Sequence, residues 1–126
     1  MNVPSNLMYT KTHEWVEIID EKTVRTGLTA YAAENLGDLV FINLPEVGDS
    51  VTNGEALGDV ESVKAVSDFM SYVTGEVTAV NEQILDEPGT VNGDPFGTWF
   101  VEIGNVTEKG ELLTPEEYEK VLAEEA

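Results

Sequence analysis

The sequence predicts an all-β fold, a sandwich or barrel made of hairpins, with a short internal helix and a C-terminal helix added. Turn-forming pairs crowd the middle of the chain, at Gly48-Asp49, Asn53-Gly54, Gly58-Asp59 and Gly75-Glu76, with short β-compatible segments between them. That spacing favours hairpins over a βαβ arrangement with its long crossovers. Two runs rich in β-branched residues open the chain, and full helix punctuation is reserved for its end.

Residues 12–19, Thr-His-Glu-Trp-Val-Glu-Ile-Ile, read as a strand, and Asp20-Glu21-Lys22 as the turn that reverses it. Residues 23–28, Thr-Val-Arg-Thr-Gly-Leu, continue as its hairpin partner. Thr29 can cap a short helix over residues 30–36, which Gly37 stops. The continuous apolar run 39–44, closed by Pro45, has the length of a buried strand. Residues 81–96 read as a loop, broken at Pro88-Gly89, Asn92-Gly93 and Asp94-Pro95, before residues 99–103 return as a strand. The last element is a helix over about residues 115–124. Thr114 is its N-cap, Pro115 its first position, and Glu116 and Glu117 complement the dipole in its first turn. Tyr118, Val121 and Leu122 share its apolar face.

Composition bounds the function. At 126 residues and 41% hydrophobic content the chain suits one domain, residues 1–126, with one core. No apolar run is long enough to cross a bilayer, and Met1-Asn2-Val3-Pro4-Ser5 lacks the basic and hydrophobic regions of a secretory signal. A bacterial-type cytoplasmic protein is the expectation. With no cysteine, the polypeptide has no thiol of its own, so redox chemistry must come from an attached group. A net charge of −19 argues against nucleic acid and anionic membranes as partners, and it can steer the protein toward basic docking surfaces. His13 is the one histidine and reads as a packed strand residue, so no metal site is expected. No nucleophile elbow or phosphate-cradling loop is present, and with 25 acidic residues some close carboxylate pair arises without catalytic meaning. No catalytic constellation can be argued from these residues.

One position stands apart. Between Arg25 and Lys109 the only basic side chain is Lys64, in the run Glu61-Ser62-Val63-Lys64-Ala65-Val66-Ser67-Asp68. A lysine alone in an acidic stretch, flanked by small and β-branched residues, can be singled out by a modifying enzyme. On composition alone the plainer reading is a solubilising lysine that guards a sheet edge. A faint echo between Gly48-Asp49-Ser50-Val51 and Gly75-Glu76-Val77 suggests two similar hairpin halves, with Lys64 near their junction at an exposed turn.

The Lys64 segment resembles that of the lipoyl-carrying H proteins of the glycine cleavage system. The resemblance continues in Gly75-Glu76-Val77, Val80-Asn81, Tyr9-Thr10, His13-Glu14-Trp15-Val16, Gly27-Leu28-Thr29, Tyr31-Ala32 and Leu36-Gly37-Asp38. It extends to residues 44–49, Val91-Asn92 and Asp94-Pro95-Phe96, and so covers roughly residues 7–124. Biotin carriers fit less well, because methionine usually flanks their lysine where Val63 and Ala65 stand here. Lipoyl domains of 2-oxoacid dehydrogenases share a Lys-Ala pair but lack the His13-Glu14-Trp15 strand and the C-terminal helix. Two departures from the H-protein pattern bear on local geometry: Tyr72 replaces a usual proline, and the Phe96 to Trp99 spacing is short.

The resemblance implies a hybrid of barrel and sandwich, with a lipoyl hairpin around residues 55–75 and lipoic acid joined by an amide to Lys64. It implies that a pyridoxal-phosphate-dependent glycine decarboxylase loads an aminomethyl group onto the lipoyl sulfur. A tetrahydrofolate-dependent aminomethyltransferase then removes it, and dihydrolipoamide dehydrogenase reoxidises the dithiol. By the same resemblance, Glu14, Asp68 and the Thr12 hydroxyl protect the loaded arm. Glu61, Ser62, Val63 and Ala65 serve recognition by the lipoate-attaching enzyme. A relay of lipoyl or octanoyl groups to other carriers is compatible with the same lysine. Outside the carrier class, an acidic β-rich interaction domain with an unmodified Lys64 remains the alternative.

Overall fold

The structure is a computed structural model that describes residues 3–125. Met1 and Asn2, from the segment read for a signal, and Ala126, the last residue of the expected 1–126 span, lie outside the described residues. The strands are β1 (Met8–Tyr9), β2 (Glu14–Asp20), β3 (Thr23–Leu28), β4 (Leu39–Asn43), β5 (Ser50–Val51), β6 (Ala56–Ser62), β7 (Val66–Met70), β8 (Val73–Val80) and β9 (Val101–Lys109). The helices are α1 (Ala30–Leu36), α2 (Gln83–Asp86), α3 (Gly89–Gly93) and α4 (Pro115–Glu125), with a 3-10 turn at Pro95–Gly97.

Six strands form one antiparallel sheet in the order β1-β2-β3-β9-β8-β5, and β4-β6-β7 form a second. The sheets are not closed into a barrel. The two echo segments pair with each other, Ser50 opposite Glu76 and Val51 opposite Gly75. The chain between them therefore leaves the larger sheet, makes the β6–β7 hairpin and returns.

Among the described residues, three apolar clusters hold this arrangement. Val16, Val24, Val77, Val101 and Ile103 pack within the larger sheet. Leu39, Ile42, Val60 and Phe69 of the small sheet pack on Ile84, Val91 and Phe100, with the Phe69 and Phe100 rings stacked at 4.6 Å. Helix α4 lays Tyr118 and Leu122 on Tyr9, Trp15 and Leu113. Stacked on Tyr9 at 4.7 Å, the Tyr118 ring places its hydroxyl 2.7 Å from Thr29 Oγ1 and 2.8 Å from His13 Nδ1.

Several expectations are corrected. The run 39–44 is not a uniformly buried strand: Leu39 and Ile42 face inward, whereas Val40 and Phe41 are 53% and 51% exposed. A bulge between Leu39 and Phe41 breaks the alternation, and the small sheet turns its outer face to solvent. Gly58-Asp59 and Gly75-Glu76 are not turns, since they lie inside β6 and β8. A Cβ at Gly58 would strike the Asn43 carbonyl, and one at Gly75 would lie 2.7 Å from the Gly104 carbonyl. These glycines allow close backbone approach within a sheet. The loop expected over 81–96 contains α2, α3 and the start of the 3-10 turn, anchored by the fully buried Ile84 and Val91. The first long strand starts at Glu14 because Thr10 to His13 turn beforehand, with His13 at φ 71° and its amide donating to the Thr10 carbonyl. His13 is thus a turn residue, not a strand residue. The strand placed at 99–103 is β9, which starts at Val101 and runs on to Lys109.

Candidate functional site

Lys64 sits at the exposed apex between β6 and β7. The turn is built by its own residues. The Ser62 amide donates to the Ala65 carbonyl at 2.8 Å, and Ser62 Oγ accepts from the amides of Lys64 at 3.2 Å and Ala65 at 3.0 Å. A serine hydroxyl that bonds amides two and three residues on imitates a backbone turn. Beside the turn, Val63 and Val66 are 70% and 68% exposed. Across the small sheet, Glu61 lies between Phe41 and Val66 in register, which puts all three on the outer face.

Glu14 lies at the other end of β7. Its side chain is buried at 1% exposure, and Oε1 accepts from Thr10 Oγ1 and Thr12 Oγ1, each at 2.5 Å. Oε2 accepts from the Met70 amide at 3.4 Å, and the Glu14 amide donates to Thr10 Oγ1 at 3.0 Å. Burial pushes this carboxyl up to about 7, against the opposing pull of the hydroxyl and amide donors. The Tyr72 hydroxyl, on the residue that departs from the H-protein pattern, lies 3.3 Å from Thr12 Oγ1 at the rim.

Strand β7 connects the two places. Phe69 is fully buried, so strand alternation sets Val66, Asp68 and Met70 on the opposite, outer face. Asp68 lies four positions after Lys64 and Met70 six positions after it, about 13 and 20 Å of extended chain. Asp68 is exposed and lies directly opposite Asp59, whose Oδ1 accepts from Asn43 Nδ2 at 2.8 Å. Like charges directly opposite in a sheet repel, so a cation over this face would be welcome.

Of the sequence-derived candidates, Glu14 and Thr12 are in direct contact. Asp68 stands on the strand between them and Lys64, while Glu61, Ser62, Val63 and Ala65 form and flank the lysine turn. Thr10, Tyr72 and the Met70 amide complete the Glu14 pocket and were not singled out as site residues. The spacing Thr10-x-Thr12-x-Glu14 is a sequence signal that could have found the first. An exposed primary amine on an internally bonded turn fits an amide-linked group, and the outer face of β7 gives such a group a surface leading to a buried carboxyl.

The class the fold defines is a β-rich scaffold of two antiparallel sheets with an exposed lysine, Lys64, on an ordered hairpin turn. Residues 7–125 match the family model described as glycine cleavage H-protein. The chain is 54% identical over 125 residues to the glycine cleavage system H protein of Lachnoclostridium phytofermentans, covering 99% of this chain and 98% of that one. It is 49% identical over 125 residues to the H protein of Listeria monocytogenes, at 97% and 99% coverage. The crystal structure of a glycine cleavage system H protein from Mycobacterium marinum superposes with a TM-score of 0.90 at 42% identity, over 96% of this chain and 99% of that chain. The chain belongs to the glycine cleavage H-protein family, whose members carry lipoic acid as subunits of the glycine cleavage system.

Proposed function

We propose that the chain acts as one carrier domain in a bacterial cytoplasm, with lipoate amide-linked to Lys64, and shuttles the aminomethyl group of glycine between the enzymes of the system. The observation that carries this reading is the exposed Lys64 on its fixed turn, joined by the outer face of β7 to the buried Glu14. Lipoate held on Lys64 would supply a strained disulfide that opens to take up the aminomethyl group, and the dithiol left once the group has departed would be reoxidised. The partners are the pyridoxal-phosphate-dependent glycine decarboxylase, the tetrahydrofolate-dependent aminomethyltransferase, dihydrolipoamide dehydrogenase and the lipoate-attaching enzyme. The protein itself catalyses none of their steps.

Its residues position and protect. The hairpin holds the arm at a high local concentration for each partner in turn. Glu14, with Thr10 and Thr12 donating to it, offers a carboxyl in a water-poor pocket to a cationic load. The arriving cation restores the ionised carboxylate that burial disfavours. Asp68, held opposite Asp59, adds a second carboxylate along the path. Glu61 with the exposed Val63 and Val66 forms the face read during lipoylation, while Ser62 and Ala65 contribute by shaping the turn.

The test is reconstitution with the three partner enzymes. Lipoylated wild type supports glycine-dependent carbon dioxide release, and Lys64→Arg of unchanged circular dichroism supports none. Turnover by Lys64→Arg would remove the assignment.

A further inference from the structure

The lysine turn is held from outside itself as well as from within. The Val63 amide donates to the Asp38 carbonyl at 3.1 Å, a contact that continues the β4–β6 ladder beyond its Leu39–Ser62 pair. Asp38 lies between α1 and β4, where Gly37 adopts φ 82° and a Cβ added to it would lie 3.7 Å from Lys64 Cε. The lysine stem therefore passes over the same short segment that receives the Val63 amide.

That segment is fixed on its other edge by a residue far away in sequence. Asn92 Nδ2 donates to the Gly37 carbonyl at 2.9 Å, and Asn92 Oδ1 accepts from the Leu39 amide at 2.9 Å. The carboxamide engages the carbonyl before Asp38 and the amide after it, the two groups that one residue of a neighbouring parallel strand would engage. Asn92 is itself anchored, because the preceding Val91 is fully buried against Leu39 and its neighbours. A chain of direct contacts thus runs from α3 through residues 37–39 to the apex of the hairpin.

We infer that Asn92 is a positioning residue for lipoylation. Its carboxamide fixes the backbone of residues 37–39, and that backbone fixes the turn and stem direction from which Lys64 is presented to the attaching enzyme. Without the clamp, residues 37–39 lose both bonds on one edge. The Val63 contact then opens locally at a cost well below that of global unfolding, and the enzyme must order the turn as it binds.

The inference rests on the reading of Lys64 as the lipoylated residue, so its test has one arm that does not. In the full-length apo protein, amide hydrogen exchange is measured at Val63 and at Val77, whose amide bonds the Asp49 carbonyl in the larger sheet. In the second arm, lipoylation of the same samples by a lipoate ligase is followed at varied protein concentration. The variants are Asn92→Ala, Asn92→Asp, which keeps the acceptor for Leu39 but not the donor to Gly37, and Val121→Ala as a destabilised control away from the hairpin. Asn92→Ala is expected to speed Val63 exchange at least fivefold while Val77 stays within twofold, and to raise KM for the protein at least threefold with kcat within twofold. Asn92→Asp, whose second carboxylate oxygen would oppose the Gly37 carbonyl, is expected to move both readouts in the same direction as Asn92→Ala, and it carries the test if the alanine variant does not fold. Unchanged Val63 exchange and KM would overturn the inference, as would equal acceleration at Val63 and Val77 matching Val121→Ala. A wild type that accepts no lipoate would sink the lipoylation reading instead, leaving the exchange arm to decide whether Asn92 fixes the turn.

Discussion

Replacing Glu14 by Gln tests the electrostatics of the pocket through stability alone. Burial raises this carboxyl from an ordinary 4.5 to about 7. Between those values the folded chain holds a proton that the unfolded chain has lost, so stability contributed here is full below pH 4.5 and falls as pH rises through 7. At about 1.4 kcal/mol per pH unit, the 2.5-unit difference between 4.5 and 7 makes ionised Glu14 cost about 3 kcal/mol. The carboxamide introduced by Glu14→Gln avoids that ionisation and can still accept from Thr10 and Thr12, but its nitrogen would face the Met70 amide, an opposition worth about 1 kcal/mol. Glu14→Gln is therefore expected to be about 2 kcal/mol more stable than wild type at pH 8 and slightly less stable at pH 4.5. Urea unfolding across that range measures it, with the exposed Glu55→Gln as a control for the general loss of one negative charge. A Glu14→Gln penalty that is the same at pH 4.5 and pH 8 would refute the assignment of a burial-raised carboxyl.

Two further outcomes follow from the packing and the turn. Gly27→Ala would place a Cβ 2.6 Å from the Trp15 indole, which is 3% exposed and bonded through Nε1 to the Pro95 carbonyl at 3.0 Å. It should cost about 1–3 kcal/mol by overpacking, read by denaturant titration, and a neutral result would mean that the indole can shift freely. Ser62→Ala removes the oxygen that receives the Lys64 and Ala65 amides in an exposed loop. Global stability should change by no more than about 1 kcal/mol, whereas lipoylation kcat/KM should drop several-fold, and equal kinetics would show that the turn does not depend on it.

The parts of the fold legible in the sequence are those whose causes are local. Helix α1 follows from Thr29, whose side chain accepts from the Ala32 amide, and from Gly37 at positive φ. The start of α4 follows from Thr114 and Glu117, which exchange hydrogen bonds of 2.9 and 3.2 Å in a capping box. The β2–β3 hairpin follows from its β-branched runs. Legibility fails where the cause is tertiary. Nothing local tells Gly48 and Gly54, which turn at φ 98° and 88°, from Gly58 and Gly75, which admit a neighbouring backbone. The breakers at 88–95 delimit helices only four and five residues long, shorter than any window in which periodicity shows.

The site divides in the same way. Lys64 stood out because charge isolation is a property of the sequence, and its reading as a carrier lysine came from the family resemblance. Glu14 is one of 25 acidic residues and was distinguished only by family resemblance, since its burial depends on Thr10, Thr12 and a strand more than fifty residues away. Tyr72 stood out as a departure from the family pattern, yet only the fold places its hydroxyl beside Thr12. Asn92 read as half of a turn-forming pair, and its bonds to Gly37 and Leu39 exist only once α3 packs beside β4.

The chemistry of the Lys64 side chain is read most directly by mass spectrometry of protein co-produced with a lipoate ligase and lipoic acid. A lipoyl-sized increase confined to the peptide containing Lys64, and lost in Lys64→Arg, is the expected result. A biotin-sized adduct under biotin supply, a lipoyl group on another lysine, or no adduct with a competent ligase would contradict it.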